Sequence, residues 1–460
     1  MHDHARNIFI NQSLDMRTIK AIGYDMDYTL IHYHTLLWEE EAYHTLLQHL
    51  HDQHTKTPDL KFNPDLVIRG LILDIELGNI LKVCQYGQVK FAAHGTTKLS
   101  REQTQSIYGK EVVHLTNPRY VFLNTLFSGS MGCLYSQLVD AHDTGDLGGS
   151  LNYHSLFLII QEAMRYTHLE SKLKSTIMQD PEKFIDLDPL TVQALQEQKA
   201  CGKKLFLATN SGWDYTQKIM SFAFDPHLSG KGWESLFDVV IVNAQKPKFF
   251  SSEQDAFLVT KKSDLLKPVS TKLEAGNIYY KANASMVEKL LDASGEEVIY
   301  VGDHMYTDIN ISKRIFGWRT CLIVREIEQE VTTLLSKKEQ IRRLVSLRRE
   351  RQHIDREIGR IELQMLLQAQ TSNEDLAELH QLYSEINEQV IRHENKFNEL
   401  NNKRWGLVMR AGQQKSHIAR QIERYADIYT SRVSNFHFTS PNCHFDYISR
   451  PMPHDFNIIK

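Results

Sequence analysis

The sequence is poor in cysteine and has no long apolar run. Its five cysteines are odd in number, widely spread and never arranged as a CxxC pair. This usage argues against a disulfide framework and a thiolate zinc site, and it fits a reducing cytoplasm. Residues 1–17 lack the apolar core of a signal peptide, and runs such as residues 156–160 are far too short to span a bilayer. We therefore expect a cytoplasmic protein without a membrane segment.

The sequence also lacks a large net charge. Its formal net charge is −4, with 42% hydrophobic and 24% charged residues, which is an ordinary globular composition. Such a balance gives no electrostatic reason to expect nucleic acid or a membrane surface as a partner. The length is enough for about two to four domains.

Five short apolar runs predict the strands of a parallel sheet. Helical segments such as residues 215–224 and 285–294 lie between them, and this alternation is typical of an α/β sheet covered on both faces. Four of the runs end in a polar or acidic residue, and such sheets bind ligands beyond the carboxyl ends of their strands. The runs are residues 21–27, 204–210, 237–243, 297–303 and 319–324.

The first two runs are too far apart for a single crossover connection. We therefore interpret residues 32–200 as an inserted α+β cap folded over the strand ends. The cap contains a hairpin signal at residues 79–95, with Tyr86 and Gly87 near the turn.

Residues 326–405 combine dense charge with apolar residues at helical spacing. From Leu376 to Leu400 these follow the three-four alternation of a coiled-coil-like seam, which is broken only by His393. The pattern favours a helical hairpin packed on its own core. The alternative is an oligomer contact, and we expect a homo-oligomer, a dimer or a tetramer. The predicted domains are a core of residues 1–31 and 201–325, the cap 32–200, the hairpin 326–405 and a segment 406–460 packing on the core.

An acidic pair stands at the end of the first run, in GYDMDYTL. If the strand continues through both residues, Asp25 and Asp27 point to the same face, and a divalent cation would offset their repulsion. Few, hard oxygen ligands suit Mg²⁺. A calcium EF-hand loop does not fit, because its sixth position would be Leu30 instead of glycine.

Three further features follow the later runs. Residues 209–211 (Thr-Asn-Ser) offer hydroxyl, amide and backbone N–H groups to a phosphate. Lys246 adds a cation, and Asp303 adds a metal ligand with Asp308 behind it. Singly, each has an ordinary explanation, such as a helix cap or a solvated lysine. Together, in this order and at strand ends, they indicate a phosphate site.

The chemistry that this set predicts is phosphoryl transfer. Asp25 attacks phosphorus and forms an aspartyl-phosphate, while Asp27 protonates the leaving oxygen and later takes a proton from water. Thr209 and Lys246 hold the phosphate oxygens, and Mg²⁺ screens the charges. The candidate catalytic residues are Asp25, Asp27, Thr209, Asn210 and Lys246, and the candidate metal-site residues are Asp25, Asp27, Asp303 and Asp308.

These residues, in this order, resemble the haloacid dehalogenase-like hydrolases, and most specifically the cytosolic purine 5′-nucleotidases of the IMP-GMP type. The likeness extends to stretches such as FLATNS and FDVVIVNAQKPKFF and covers most of the chain. It implies a Rossmann-like core, an inserted cap that reads the nucleotide, a Mg²⁺ cofactor and hydrolysis of purine nucleoside 5′-monophosphates. It also implies phosphate transfer to nucleosides.

The resemblance assigns substrate-binding residues by motif matching. Phe127 falls where the family stacks an aromatic ring on the purine, and the alternative is a role in the cap core. Where the family has Arg and Asp, this chain has Gln161 and Arg165, and Arg165 can only donate hydrogen bonds. This difference motivates an alternative, a phosphatase of the same fold for another small phosphomonoester. The assigned set is Phe127, Gln161, Arg165, His168, Lys174 and Ser211.

Some family members bind a second nucleotide as an activator, and Asn124, Tyr306 and Arg314 fall near the matching places. Ordinary packing and solvated charge are the alternative for these three. A last interpretation is a non-catalytic interaction protein whose helical region, residues 326–405, binds a partner. The intact set of catalytic positions argues against it.

Overall fold

A ten-stranded, mostly parallel sheet forms the centre of the fold. The computed structural model describes residues 4–53, 57–148, 151–169, 172–259, 266–269, 272–367 and 373–448. The predicted runs form five adjacent parallel strands, which confirms a mixed α/β fold around a parallel sheet. In spatial order they are Arg319–Ile323, Val298–Gly302, Ala21–Tyr24, Lys204–Ala208 and Val239–Val242. The outer strands are Phe9–Ile10 and Ile428–Thr430 on one side, and Ile278–Tyr280, Ala256–Val259 and Leu266–Val269 on the other.

Both faces of this sheet are buried, because alternate strand residues enter two separate apolar cores. Leu205 belongs to one core and Phe206 to the other. Gly23 lies opposite Phe206 of the neighbouring strand, and glycine is required there because a Cβ would lie 2.1 Å from the phenyl ring. The helices Pro189–Ala200 and Trp213–Phe224 contribute to the first core, and Ala284–Leu291 and Ile311–Phe316 contribute to the second.

The chain between the two central strands contains a second sheet, which is antiparallel. Its five strands lie in the order Thr97–Lys98, Val89–His94, Asn79–Val83, Ile72–Asp74 and Tyr120–Phe122. The helices Thr35–Asp52, Gly129–Asp143 and Tyr153–Leu169 share an apolar core with it. Two short strands, His32–Tyr33 and Ile185–Asp186, pair antiparallel where the chain enters and leaves this region.

Two long helices, Lys338–Leu367 and Asn373–Asn398, lie antiparallel to each other. Arg348 pairs with Glu394 at 3.0 Å, and Arg351 donates to Asn387 at 2.8 Å. Their shared core consists of Leu344, Leu347, Ile354, Ile358, Ile386 and Val390.

The remaining elements are short and complete the two regions. No helix within the described residues combines the length and apolarity needed to cross a bilayer. Within the described residues, the remaining α-helices are Arg101–Tyr108, Lys172–Gln179, Pro181–Phe184, Lys248–Ser251, Ile327–Ser336 and His417–Tyr425, and the remaining strands are Leu14–Asp15, Arg410–Ala411, Gln414–Lys415 and His444–Phe445.

Candidate active site

The candidate catalytic residues directly follow the carboxyl ends of neighbouring parallel strands. Asp25 comes after the strand Ala21–Tyr24, and its backbone N–H donates to the Val301 carbonyl at 2.9 Å. Asp303 follows the strand Val298–Gly302, and Thr209 follows Lys204–Ala208. Because these strands are adjacent, the polar residues after them converge on one edge of the sheet.

Three carboxylates form a compact acidic group at this edge. Asp25, Asp303 and Asp308 each offer one oxygen, and these three atoms lie within 4.8 Å of one another. The ammonium of Lys246 bridges two of them, 2.8 Å from Asp25 Oδ1 and 2.7 Å from Asp308 Oδ1. Lys246 also donates to the Tyr300 hydroxyl at 3.2 Å.

Burial and mutual repulsion govern the ionisation of this group. Burial raises the pKa of Asp25 to about 7, with Lys246 opposing and Asp308 adding to the shift. Burial, followed by repulsion from Asp25, raises the pKa of Asp303 well above its usual range. Burial disfavours the charged form of Lys246, but the attraction of Asp25 and Asp308 prevails and raises its pKa.

The residues of the acidic group fit a divalent cation. Asp303 is buried, and its Oδ2 atom has no hydrogen-bond partner among the described residues. An unpartnered carboxylate oxygen beside two further carboxylates is costly in a buried site unless a cation neutralises it. A small set of hard oxygen ligands suits Mg²⁺. Asp25, Asp303 and Asp308 are the side chains that could hold it.

Asp27 is not one of the residues that form this acidic group. The prediction that the strand continues through Asp27 is wrong, because the strand ends at Tyr24 and Tyr28 has a positive φ of 55°. Asp27 therefore turns its carboxylate toward two hydroxyl groups: Tyr33 donates to Oδ1 at 2.5 Å, and Ser211 donates to Oδ2 at 2.6 Å. A metal-binding role for Asp27 stays a prediction.

The side chains of Asn210 and Thr209 form hydrogen bonds with the backbone of the neighbouring loops. The Asn210 side chain accepts from the Lys246 backbone N–H at 2.6 Å and donates to the Lys246 carbonyl at 3.2 Å. Thr209 Oγ1 accepts from the Ser211 N–H at 3.0 Å. These bonds fix the backbone that carries Lys246 and Ser211.

Glycine is needed at position 302 because Asp308 packs directly against its backbone. A Cβ at this position would lie 2.5 Å from Asp308 Oδ2. The same oxygen accepts from the His304 N–H at 3.1 Å. Asp308 itself lies on a π-helical turn, Met305–Asn310, whose first N–H groups are capped by the His304 ring.

Arg69 and Tyr33 are site residues that sequence reasoning missed. Arg69 is buried and donates to the backbone carbonyls of Asp303, at 2.6 Å, and Asn124, at 2.9 Å. It thereby links the antiparallel region to a candidate metal ligand. Arg69 also pairs with the Glu326 carboxylate at 3.5 Å, and because Glu326 and Asp303 are both distant in sequence, no local charge pattern marks Arg69.

The predicted substrate residues have different locations. Lys174 reaches the site and donates to Ser211 Oγ at 2.8 Å. Gln161 and Arg165 are exposed on the helix Tyr153–Leu169, where Arg165 pairs with Glu162 at 2.6 Å. The predictions for Phe127 and His168 concern side chains outside the described part of the structure.

The three candidate effector residues are also spread over separate elements. The Asn124 carbonyl accepts from Arg69, whereas Tyr306 is half-exposed on the π-helical turn and Arg314 is exposed on the helix Ile311–Phe316. Their joint role in binding a nucleotide stays a prediction.

Comparison with known proteins places this site in a family. A sequence model of the 5′ nucleotidase family matches residues 8–457. The chain belongs to the 5′ nucleotidase family. It is 29% identical over 447 residues to 5′-nucleotidase domain-containing protein 2 of Homo sapiens, covering 93% of this chain and 81% of that protein. This membership makes the chain a phosphoric monoester hydrolase, as the catalytic motifs predicted.

A solved structure is also similar to this 5′ nucleotidase family member. It is the crystal structure of CbbY from Rhodobacter sphaeroides in complex with phosphate, at 12% identity and a TM-score of 0.26. The match covers 66% of this chain and 86% of that one. At this TM-score the likeness supports no conclusion about fold or substrate.

Proposed function

We propose that this protein is a Mg²⁺-dependent 5′-nucleotidase that hydrolyses purine nucleoside 5′-monophosphates of the IMP and GMP type. The observation that carries the proposal is the position of Asp25. Its side chain keeps 12% of its surface exposed, whereas Lys246 and Asp308 beside it retain 3% and 0%. Asp25 is therefore the member of this ion-paired group that an incoming phosphate can reach.

In the first step, an oxygen of Asp25 attacks phosphorus and the bond between phosphorus and O5′ breaks. The electron pair of that bond goes to O5′, which takes a proton from Asp27 and leaves as the nucleoside. Lys246 stabilises the negative charge of the phosphoryl group, and its two carboxylate contacts hold its ammonium in place.

In the second step, water attacks the phosphorus of the aspartyl-phosphate and gives a proton to Asp27. The bond from phosphorus to Asp25 breaks, phosphate leaves, and both carboxyl groups return to their starting states. Held by Asp25, Asp303 and Asp308, Mg²⁺ would supply positive charge that reduces the repulsion between carboxylate and phosphate. A nucleoside in the leaving-group position could replace water, which would give phosphotransferase activity.

A second candidate is a phosphatase of the same type for another small phosphomonoester. The positions of Gln161 and Arg165 favour it, because both side chains are exposed and Arg165 pairs with Glu162 at 2.6 Å. Lys174 and Ser211 serve both candidates, since they lie beside Asp27 whichever alcohol leaves.

The proposal extends to the organisation of the chain. A haloacid dehalogenase-like core of residues 1–31 and 201–325 would carry catalysis, and a cap of residues 32–200 would recognise the nucleotide. The hairpin 326–405 would pack on its own core, the segment 406–460 would pack on the catalytic core, and the chain would form a cytoplasmic dimer or tetramer. Asn124, Tyr306 and Arg314 would bind a nucleotide effector. Sedimentation with and without a nucleotide would test the assembly.

Phosphate release from a panel of compounds tests the proposed function. The panel contains IMP, GMP, AMP, UMP, dIMP and sugar phosphates, each with Mg²⁺ and with EDTA. Asp25→Asn should lower release by about 10⁴-fold or more, the usual cost of losing a nucleophile. Asp52→Asn, at an exposed helix end, is the matched control and should behave like the wild type. Release from the sugar phosphates alone would favour the second candidate, and no release from any compound would contradict both.

A further inference from the structure

The carboxylate of Asp27 is held from both sides by hydroxyl groups. Tyr33 donates to one oxygen at 2.5 Å, and Ser211 donates to the other at 2.6 Å. Both bonds are short, and each oxygen of Asp27 accepts one hydroxyl hydrogen. The carboxyl plane is therefore fixed at both of its oxygens.

Each of these hydroxyl groups has a further donor behind it. The Lys174 ammonium lies 2.8 Å from Ser211 Oγ, and because an ammonium can only donate, the Ser211 hydrogen is left for Asp27. The hydroxyl groups of Tyr33 and Tyr215 lie 3.0 Å apart. Because Tyr33 gives its hydrogen to Asp27, its oxygen can only accept from Tyr215, and Tyr215 donates to Tyr33.

Tyr33 is well placed to keep this geometry. It is only 4% exposed and packs against Trp38, with ring centroids 4.4 Å apart, and against Tyr28 at 5.1 Å. It also lies on the short strand His32–Tyr33, whose pairing with Ile185–Asp186 fixes its backbone. Aromatic packing and strand pairing together leave the ring little freedom.

We propose that Tyr33, supported by Tyr215, is a positioning residue that aims the carboxyl group of Asp27 at the oxygen of the leaving group. The inference rests on the proposed function, in which Asp27 protonates O5′. Misplacing a catalytic group by about 1 Å can lower a rate by about 10²-fold, so a single hydroxyl at this position can matter.

The test compares two leaving groups on the same nucleoside. IMP has a bridging oxygen, which leaves poorly without a proton, whereas its 5′-phosphorothiolate analogue has a bridging sulfur, which leaves as a thiolate. Tyr33→Phe should lower kcat/KM for IMP by about 10- to 100-fold. It should change kcat/KM for the phosphorothiolate analogue by less than about threefold. The comparison uses kcat/KM because this constant reports only the steps up to departure of the leaving group and not the later hydrolysis of the aspartyl-phosphate.

Two further variants calibrate the result. Asp27→Asn should show the same preference for the sulfur substrate, to a larger degree. Tyr43→Phe is the matched control, because Tyr43 is also buried and donates to one side chain, Gln137, at 2.5 Å, away from the acidic group. It should leave the ratio of the two kcat/KM values unchanged.

The outcomes separate the inference from the proposed function. A wild-type protein inactive on both substrates overturns the proposed function and the inference with it. If Asp27→Asn discriminates between the leaving groups and Tyr33→Phe does not, or if Tyr33→Phe lowers both values equally, the positioning role is wrong. Should Tyr33→Phe fail to fold, Tyr215→Phe decides, because it keeps Tyr33 and should shift the ratio in the same direction by a few-fold.

Discussion

The clearest physical prediction concerns the stability of the metal-free protein when Asp25 is replaced by Asn. The pKa of Asp25 lies near 7 in the folded chain, against 3.8 for the unperturbed group. The native state therefore binds more protons than the unfolded state between these two values. The sign follows from linkage: this contribution to stability is fully present below about pH 4 and is lost as the pH rises through about 7.

The size of the effect follows from the same shift. About three pKa units at about 1.4 kcal/mol each give an upper bound of about 4 kcal/mol at pH 8. Asparagine resembles the protonated carboxyl group and avoids this cost. With an unfolding entropy of about 2.1 cal/mol/K per residue, a gain of 4 kcal/mol corresponds to roughly 4 °C for a chain of this length that unfolds as one unit.

Thermal unfolding in EDTA at pH 5 and pH 8 measures this difference. We expect Asp25→Asn to exceed the wild type in Tm at pH 8 by up to about 4 °C and by much less at pH 5. Asp52 is exposed, so Asp52→Asn should have the same Tm as the wild type at both pH values. An equal loss of Tm in Asp25→Asn at both pH values would refute the claim that Asp25 is held in a site that disfavours its charge.

Three further predictions concern the surroundings of the acidic group. Gly302→Ala should weaken Mn²⁺ binding, measured by calorimetry, because its Cβ would displace Asp308; unchanged affinity would contradict this packing. Asn210→Ala should lower kcat by about 10²-fold, because the backbone of Lys246 loses its two hydrogen bonds with the Asn210 side chain, and circular dichroism should show an unchanged fold. Arg69→Met should lower Mg²⁺ affinity by about 10-fold, because the Asp303 carbonyl loses its donor; Arg101→Met, at an exposed site, should not.

Most of the parallel sheet could be predicted from the sequence. Apolar runs buried on both faces have a strong signature, and the polar residues after them indicated a site at the carboxyl ends of the strands. Three of the four predicted metal-site residues, Asp25, Asp303 and Asp308, form the acidic group. Its members are close because the strands Ala21–Tyr24 and Val298–Gly302 are neighbours.

What could not be predicted depends on contacts distant in sequence or on backbone geometry. Tyr33 contacts Asp27 only because the chain turns sharply after Tyr24, with Tyr28 at positive φ. A period-two pattern cannot reveal where such a strand stops. Arg69 contacts the Asp303 carbonyl from the turn before the strand Ile72–Asp74, and a contact with a backbone atom leaves no trace in the pattern of side chains.

The measurement that tests the central claim most directly is trapping of the covalent intermediate. The protein would be mixed with Mg²⁺ and IMP labelled with ³²P, quenched in acid within one turnover and digested for peptide mapping. We predict a hydroxylamine-sensitive label on the peptide that contains Asp25, which is absent in Asp25→Asn. Full turnover without any labelled protein, or a label that persists in Asp25→Asn, would contradict Asp25 as the nucleophile.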